Sequence, residues 1–183
     1  DATPEEEWKW AVEGMKEIYE HSEKEGVVLA VEPINRFETY FVSRGAQAYA
    51  LAEATGPNCG VCLDSFHLNI EEQDPYQTIR DCADRLVDFH IADTNRMPAG
   101  YGHWDWAKLI GVLREVGYDG AVSIEVEDDT FGRDLAGRQR AGRRVVGSLE
   151  AQPGEEPGCR EHQRAEHRAL PVRACAPLPS VLP

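Results

Sequence analysis

Residues Val27–Glu38 read VVLAVEPINRFE. The run from Val27 to Val31 is wholly apolar, the pattern of a strand covered on both faces. It breaks at Glu32-Pro33, because proline brings no N–H to a ladder and ends regular pairing. A carboxylate therefore sits where a buried strand gives out, with Asn35, Arg36 and Glu38 close behind. A charge at that depth is costly unless it is paired or bound to a cation. Two explanations stand on this stretch alone: an ion pair with Arg36, or a functional site.

The flanks repeat one theme. Pro4–Glu25 carries Trp8, Ala11, Val12, Met15, Ile18 and Tyr19 as one stripe at helical period. Thr3 is placed to cap that helix and Gly26 to end it. Ser43 opens a second expected helix, closed near Thr55 by Gly56-Pro57. Cys59–Asp64 reads as the next buried strand, and Asp74-Pro75 starts a helix expected to run to about Arg85. Leu86–Ile91 is a third strand with His90 near its end. Asp105 caps a helix striped by Trp106, Leu109, Ile110, Leu113 and Val116, and Ala121–Val126 is a fourth strand with Glu125 near its end. Alternation of this kind implies parallel strands joined by helical crossovers. Such sheets carry their chemistry at the carboxyl ends of the strands. Each of the four strands ends in a potential metal ligand: Glu32, Asp64, His90 and Glu125. Four in succession favours the functional site.

Bulk composition narrows the classes. The chain has 183 residues and a net charge of −14, which argues against a nucleic-acid surface and against anionic membranes. No apolar run approaches the ~20 residues that span a bilayer, and no signal-peptide pattern opens the chain. Five cysteines, an odd number, do not suggest a secreted disulfide framework, so a reducing cytoplasm is expected. After Glu127 the character changes. Prolines crowd from Pro153 onward and no stripe lasts, so residues 128–183 are expected to be an irregular, disordered tail, with Leu135–Leu149 as a candidate Arg-rich helix.

Three carboxylates and one imidazole are a hard, oxygen-rich donor set, better suited to Mn²⁺, Mg²⁺ or Co²⁺ than to a structural zinc ion. A divalent ion there would polarise a carbonyl and the neighbouring hydroxyl of a substrate, lowering the cost of taking the proton between them. A carboxylate beside that carbon is a suitable base. Removal on one face and return on the other inverts a stereocentre, and return at the adjacent carbon interconverts aldose and ketose. Glu38, His67 and Arg96 lie just beyond strand ends and suit a polyol. Their ordinary alternatives remain: His67 as a loop or capping residue, and Arg96 paired with Asp93. His103 reads better as a packing or capping residue than as a ligand, and Trp104 and Trp106 read as core. Cys59 and Cys62 form a C-x-x-C, but residues three apart in a strand face opposite ways, so both read as buried structural thiols.

The strings VEPINRFE, LDSFHLNIEE, DFHIADTNR and GYGHWDW, closed by GYDGAVSIEVE, resemble the sugar isomerase/epimerase family with the xylose-isomerase-like TIM barrel, most of all its ketose 3-epimerases. The resemblance covers about Pro4 to Glu127. It implies an α/β fold, the C-terminal half of a (β/α)8 barrel with four parallel strands and their helices. It also implies that Glu32, Asp64, His90 and Glu125 hold one divalent metal, usually Mn²⁺, and that Glu32 and Glu125 exchange the proton at C3 of a free ketose. By the same likeness, Glu38, His67 and Arg96 contact substrate hydroxyls. Other readings of the same fold are an isomerase or dehydratase acting on hydroxypyruvate, an inosose or a sugar phosphate, or an inactive remnant that keeps the metal site. A half barrel would leave open parallel edges, which implies edge-to-edge association as a homo-oligomer or marginal folding.

Overall fold

The structure, a computed structural model, describes residues 2–126. The expected tail at 128–183 and the candidate helix within it lie outside the described residues. In chain order the elements are α1 (Pro4–Glu25), β1 (Leu29–Val31), α2 (Gly45–Thr55), β2 (Cys59–Asp64), α3 (Ser65–Glu71), α4 (Pro75–Asp81), β3 (Leu86–Ile91), α5 (Trp106–Glu115) and β4 (Ala121–Ile124). The four strands form one parallel sheet in the order β1-β2-β3-β4.

Local chemistry accounts for the helix starts. The Thr3 hydroxyl accepts from the Glu6 N–H while the Glu6 carboxylate accepts from the Thr3 N–H, a reciprocal capping box. Gly26 ends α1 with φ 68°, a left-handed turn open to glycine at little strain. Asp74 and Asp105 cap α4 and α5 through their side chains.

The helices pack on one face of the sheet. Val31, Val61, Leu63, Leu86, Phe89 and Ile91 point from the strands into that layer and meet Leu51, Ile79, Leu109 and Leu113 from the helices. The opposite face carries Glu32, Cys62, Asp64, Asp88 and His90. Alternation along each strand thus separates an oily outer core from a polar inner face.

Four expectations change. The first strand is not covered on both faces: Val27 and Val28 are more than half exposed and β1 keeps three residues at an edge of the described sheet. α2 begins at Gly45 rather than Ser43, because the Gln47 side chain accepts from the Ser43 and Arg44 N–H groups and holds them outside the helix. α4 stops at Asp81, where the chain tightens into a turn before β3. α3 is an additional short helix, whose cap is the Asp64 carboxylate accepting from the Phe66 N–H at 2.8 Å.

Candidate metal centre

Glu32, Asp64, His90 and Glu125 converge at the carboxyl end of the sheet. Each offers a ligand atom, and the four atoms lie within 4.8 Å of one another. Glu32 follows β1 directly and Pro33 stops the strand there. Asp64 closes β2 and is fully buried. His90 lies in β3, opposite Asp64 in register. Glu125 follows β4, fixed by its N–H donating to the Ile91 carbonyl at 3.2 Å.

The imidazole of His90 lies between the two glutamates. Its Nδ1 is 2.7 Å from Glu125 Oε2 and 3.4 Å from Glu32 Oε1, and its Nε2 is 3.5 Å from Asp88 Oδ2. Burial alone would lower its basicity, but Glu32 and Glu125 outweigh that and raise it. Glu32 is raised by burial, with His90 opposing. Asp64 is pushed up to about 7 because burial outweighs the neighbouring Arg96. Glu125 is the least enclosed. Burial raises it, yet Arg96 and His90 hold it below its ordinary value.

Arg96 supplies the positive side. Its guanidinium pairs with Asp64 Oδ2, reaches Glu125 Oε1 at 2.9 Å, and lies over the Phe66 ring at 4.9 Å. The alternative pairing with Asp93 is overturned at the side chain: only the Arg96 backbone N–H meets Asp93, at its carbonyl. Arg96 also has φ 61°, a strained conformation for a residue with a side chain. Asp93 holds the loop that imposes it. Its Oδ1 accepts from the Thr94 and Trp104 N–H groups, and its Oδ2 accepts from the Gly100 N–H and the Trp106 indole.

The buried His67 faces the same cluster, with Nε2 3.9 Å from Asp64 Oδ2. Its other nitrogen meets two donors of Asn35, the backbone N–H at 3.3 Å and the amide Nδ2 at 2.8 Å. Nδ1 must therefore accept, and the ring proton resides on Nε2, toward the site. Burial and then Arg96 lower His67, which keeps it neutral. The same Asn35 amide donates to Glu38 Oε1 at 2.6 Å, tying that exposed carboxylate to the ring. The other early alternative falls too: Arg36 pairs with Glu71 at 2.8 Å, leaving Glu32 outside that ion pair.

The profile of the xylose isomerase-like TIM barrel matches residues 1–149. The chain belongs to the xylose isomerase-like TIM barrel family. It is 33% identical over 129 residues to a D-psicose 3-epimerase of Enterocloster bolteae, covering 68% of this chain and 43% of that one. It is 40% identical over 101 residues to a ketose 3-epimerase of Arthrobacter globiformis, covering 55% and 35%. A crystal structure of D-psicose 3-epimerase with D-tagatose from Clostridium cellulolyticum H10 superposes with a TM-score of 0.73 at 25% identity, covering 82% of this chain and 57% of that one. The chain spans less than half the length of these two curated relatives, and its four parallel strands are part of the family's barrel.

The donor set of this family member fits a divalent cation. Glu32 Oε1 is buried and accepts no hydrogen bond, although a buried carboxylate oxygen normally finds a partner. Three carboxylates around one imidazole offer mostly oxygen donors to a hard ion. Asp88 stands behind His90 as a carboxylate behind a metal-bound imidazole would. Asn35, Asp88 and Asp93 were not singled out as functional residues in the sequence. Asn35 is the one with a visible signal, since it lies between Glu32 and Glu38 in the same short segment.

The two tryptophans pack against the core as expected, whereas His103 is exposed and neither packs nor caps α5, whose cap is Asp105. His103 Nδ1 lies 3.3 Å from the Thr94 hydroxyl, away from the four ligands. The Trp104 indole donates to the Ser65 carbonyl, and both rings are half-buried. Cys59 belongs to the outer core, whereas Cys62 faces the other way, as its spacing requires.

Proposed function

We propose that this chain carries the catalytic half of a sugar epimerase that inverts C3 of a free ketose. Glu32 and Glu125 would exchange the C3 proton, and Glu32, Asp64, His90 and Glu125 would hold a divalent cation, Mn²⁺ before Mg²⁺ or Co²⁺. The observation that carries this reading is the placement of two glutamates from different strands against one imidazole nitrogen, at 3.4 and 2.7 Å. Two carboxylates about one centre provide a base for one face of a carbon and an acid for the other.

A bound cation supplies polarisation of the substrate carbonyl and its neighbouring hydroxyl. The chain's own residues orient the sugar. His67 presents a neutral Nε2–H donor, Arg96 a fixed cationic donor, and Glu38 an acceptor braced by Asn35. The fit to a polyhydroxylated substrate rests on these polar groups, and the likeness to ketose 3-epimerases supports it. We assign the site to residues 1–127, and place the protein in the cytoplasm as a possible homo-oligomer. The cytoplasmic reading rests on Cys59, Cys62 and Cys82, which are unpaired thiols. Among the described residues no helix is long and apolar enough to cross a membrane.

The test is exchange of the C3 proton of D-psicose, D-fructose and D-tagatose in D₂O, followed by NMR with the Mn²⁺-loaded 183-residue chain. The unmodified chain should exchange deuterium at C3, and Glu125→Gln should abolish it. Exchange that survives Glu125→Gln overturns the assignment of the base. Mn²⁺ binding without exchange of any ketose by the unmodified chain would reduce the function to cation binding alone.

A further inference from the structure

We infer that the centre has a second, softer mode, in which a thiophilic divalent ion such as Zn²⁺ or Cd²⁺ is held by Glu32, Cys62 and His90. The inference rests on the cation-binding part of the proposed function and not on its sugar chemistry.

Register brings the three side chains together. Cys62 lies two residues before Asp64 on β2, so both face inward. β1 pairs Val31 with Val61, and one further step along both strands sets Glu32 beside Cys62. On its other side Cys62 pairs with Asp88, two residues before His90. The Cys62 Sγ, a Glu32 carboxylate oxygen and a His90 ring nitrogen lie within 4.8 Å of one another. The thiol is buried, forms no disulfide, and is excluded from the apolar cluster on the outer face. The buried Glu32 oxygen that lacks a hydrogen-bond partner belongs to this same group.

The two donor sets differ in chemistry. Asp64 and Glu125 complete a hard oxygen set, whereas Cys62 turns Glu32 and His90 into a sulfur–nitrogen–oxygen set. Thiolate donors select zinc-like ions over manganese or magnesium, and three protein ligands plus water suit a four-coordinate zinc ion. As the metal–sulfur bond forms, the thiol proton passes to solvent. Glu32 and His90 are common to both sets, so one ion excludes the other. A soft ion would be drawn one row deeper along the strands, away from Asp64 and Glu125.

Cadmium alone is the probe, because a thiolate–cadmium bond gives an ultraviolet charge-transfer band. The 183-residue chain should develop that band on titration with Cd²⁺ and release bound Mn²⁺, read by electron paramagnetic resonance, as it does so. Cys62→Val should remove the band and weaken Cd²⁺ by more than the ~10–100-fold that loss of an outer partner costs, with Mn²⁺ affinity unchanged. If circular dichroism shows that Cys62→Val does not fold, Cys62→Ser replaces it. A chain with Cys59, Cys82, Cys159 and Cys175 changed to Ala should keep the band. Cd²⁺ binding without the band, a band that survives loss of Cys62, or simultaneous binding of Cd²⁺ and Mn²⁺ would each overturn the inference.

Discussion

Replacing Asp93 with Asn tests how the loop behind the site is held. The carboxylate is buried and accepts four N–H donors, two at each oxygen: Thr94 and Trp104 at Oδ1, Gly100 and the Trp106 indole at Oδ2. In Asp93→Asn, either rotation of the amide turns an NH₂ group toward one pair of donors. Two part-buried N–H groups then lose their acceptor, at up to about 1–3 kcal/mol each, and access of water from the exposed Gly100 side leaves a net loss of about 1–4 kcal/mol. That is a large share of a domain stability of about 5–15 kcal/mol. The pH dependence has a defined sign. Burial pushes the Asp93 carboxyl up, but the indole and three backbone N–H groups outweigh it and hold it below its ordinary value. A folded-state pKa below the unfolded ~3.9 gives stability that is complete above that value and fades as pH falls through the folded one. Urea unfolding followed by circular dichroism from pH 7 downward should show the gap between wild type and Asp93→Asn fully open at pH 7 and closing in acid. A gap below ~0.5 kcal/mol at pH 7, the scatter of ordinary surface changes, or a gap that widens in acid, would refute the reasoning.

Three other substitutions probe the neighbouring contacts. Asn35→Asp replaces a donor to His67 with an acceptor, so the ring should take a proton on Nδ1, read from long-range ¹⁵N–¹H correlations; a wild-type ring already protonated there would defeat the assignment. Glu32→Gln should lower Mn²⁺ affinity at least tenfold by calorimetry, a loss at least as large as the ~10–100-fold cost of outer-partner changes, while urea stability holds or rises because a buried charge has been removed. Unchanged Mn²⁺ affinity would take Glu32 out of the ligand set. Gly60→Ala would set a Cβ 2.6 Å from Val87 Cγ2 and 2.8 Å from the Arg85 carbonyl oxygen, a backbone clash worth about 1–3 kcal/mol; a neutral urea midpoint would show that the strands have room to separate.

The elements were largely legible in the sequence because their signals are local. The α1 stripe, its Thr3 cap and its Gly26 stop lie within one segment, and the structure reproduces Pro4–Glu25. A carboxylate or imidazole at the end of each strand is likewise visible along the chain. The supports of the site are not, since they depend on contacts across the fold. Asn35 meets His67 across 32 residues, and Arg36 meets Glu71 across 35. Nothing in the segment NRFE shows which of its members turns inward. α3 escaped for a related reason: its start depends on Asp64, a residue that reads first as the end of a strand.

The deepest constraint on the site is a register shift that neither strand shows by itself. β2 and β3 pair Val61 with Leu86, and then Cys62 with Asp88, so Val87 is an extra residue on β3. Without that step, Asp64 would lie opposite Phe89, and alternation would turn His90 out of line with it. With it, Asp64 lies opposite His90, and Phe89 and Ile91 still enter the outer core. The extra side chain needs space. Val87 occupies the position where a Cβ on Gly60 would stand, so the absent side chain of Gly60 admits the irregularity that aligns two of the four ligands. A bulge beside a functional site re-aims a side chain at the cost of local pairing. Here the pairing lost at Val87 brings the imidazole into reach of Glu32 and Glu125, which come from strands on either side of the β2–β3 pair.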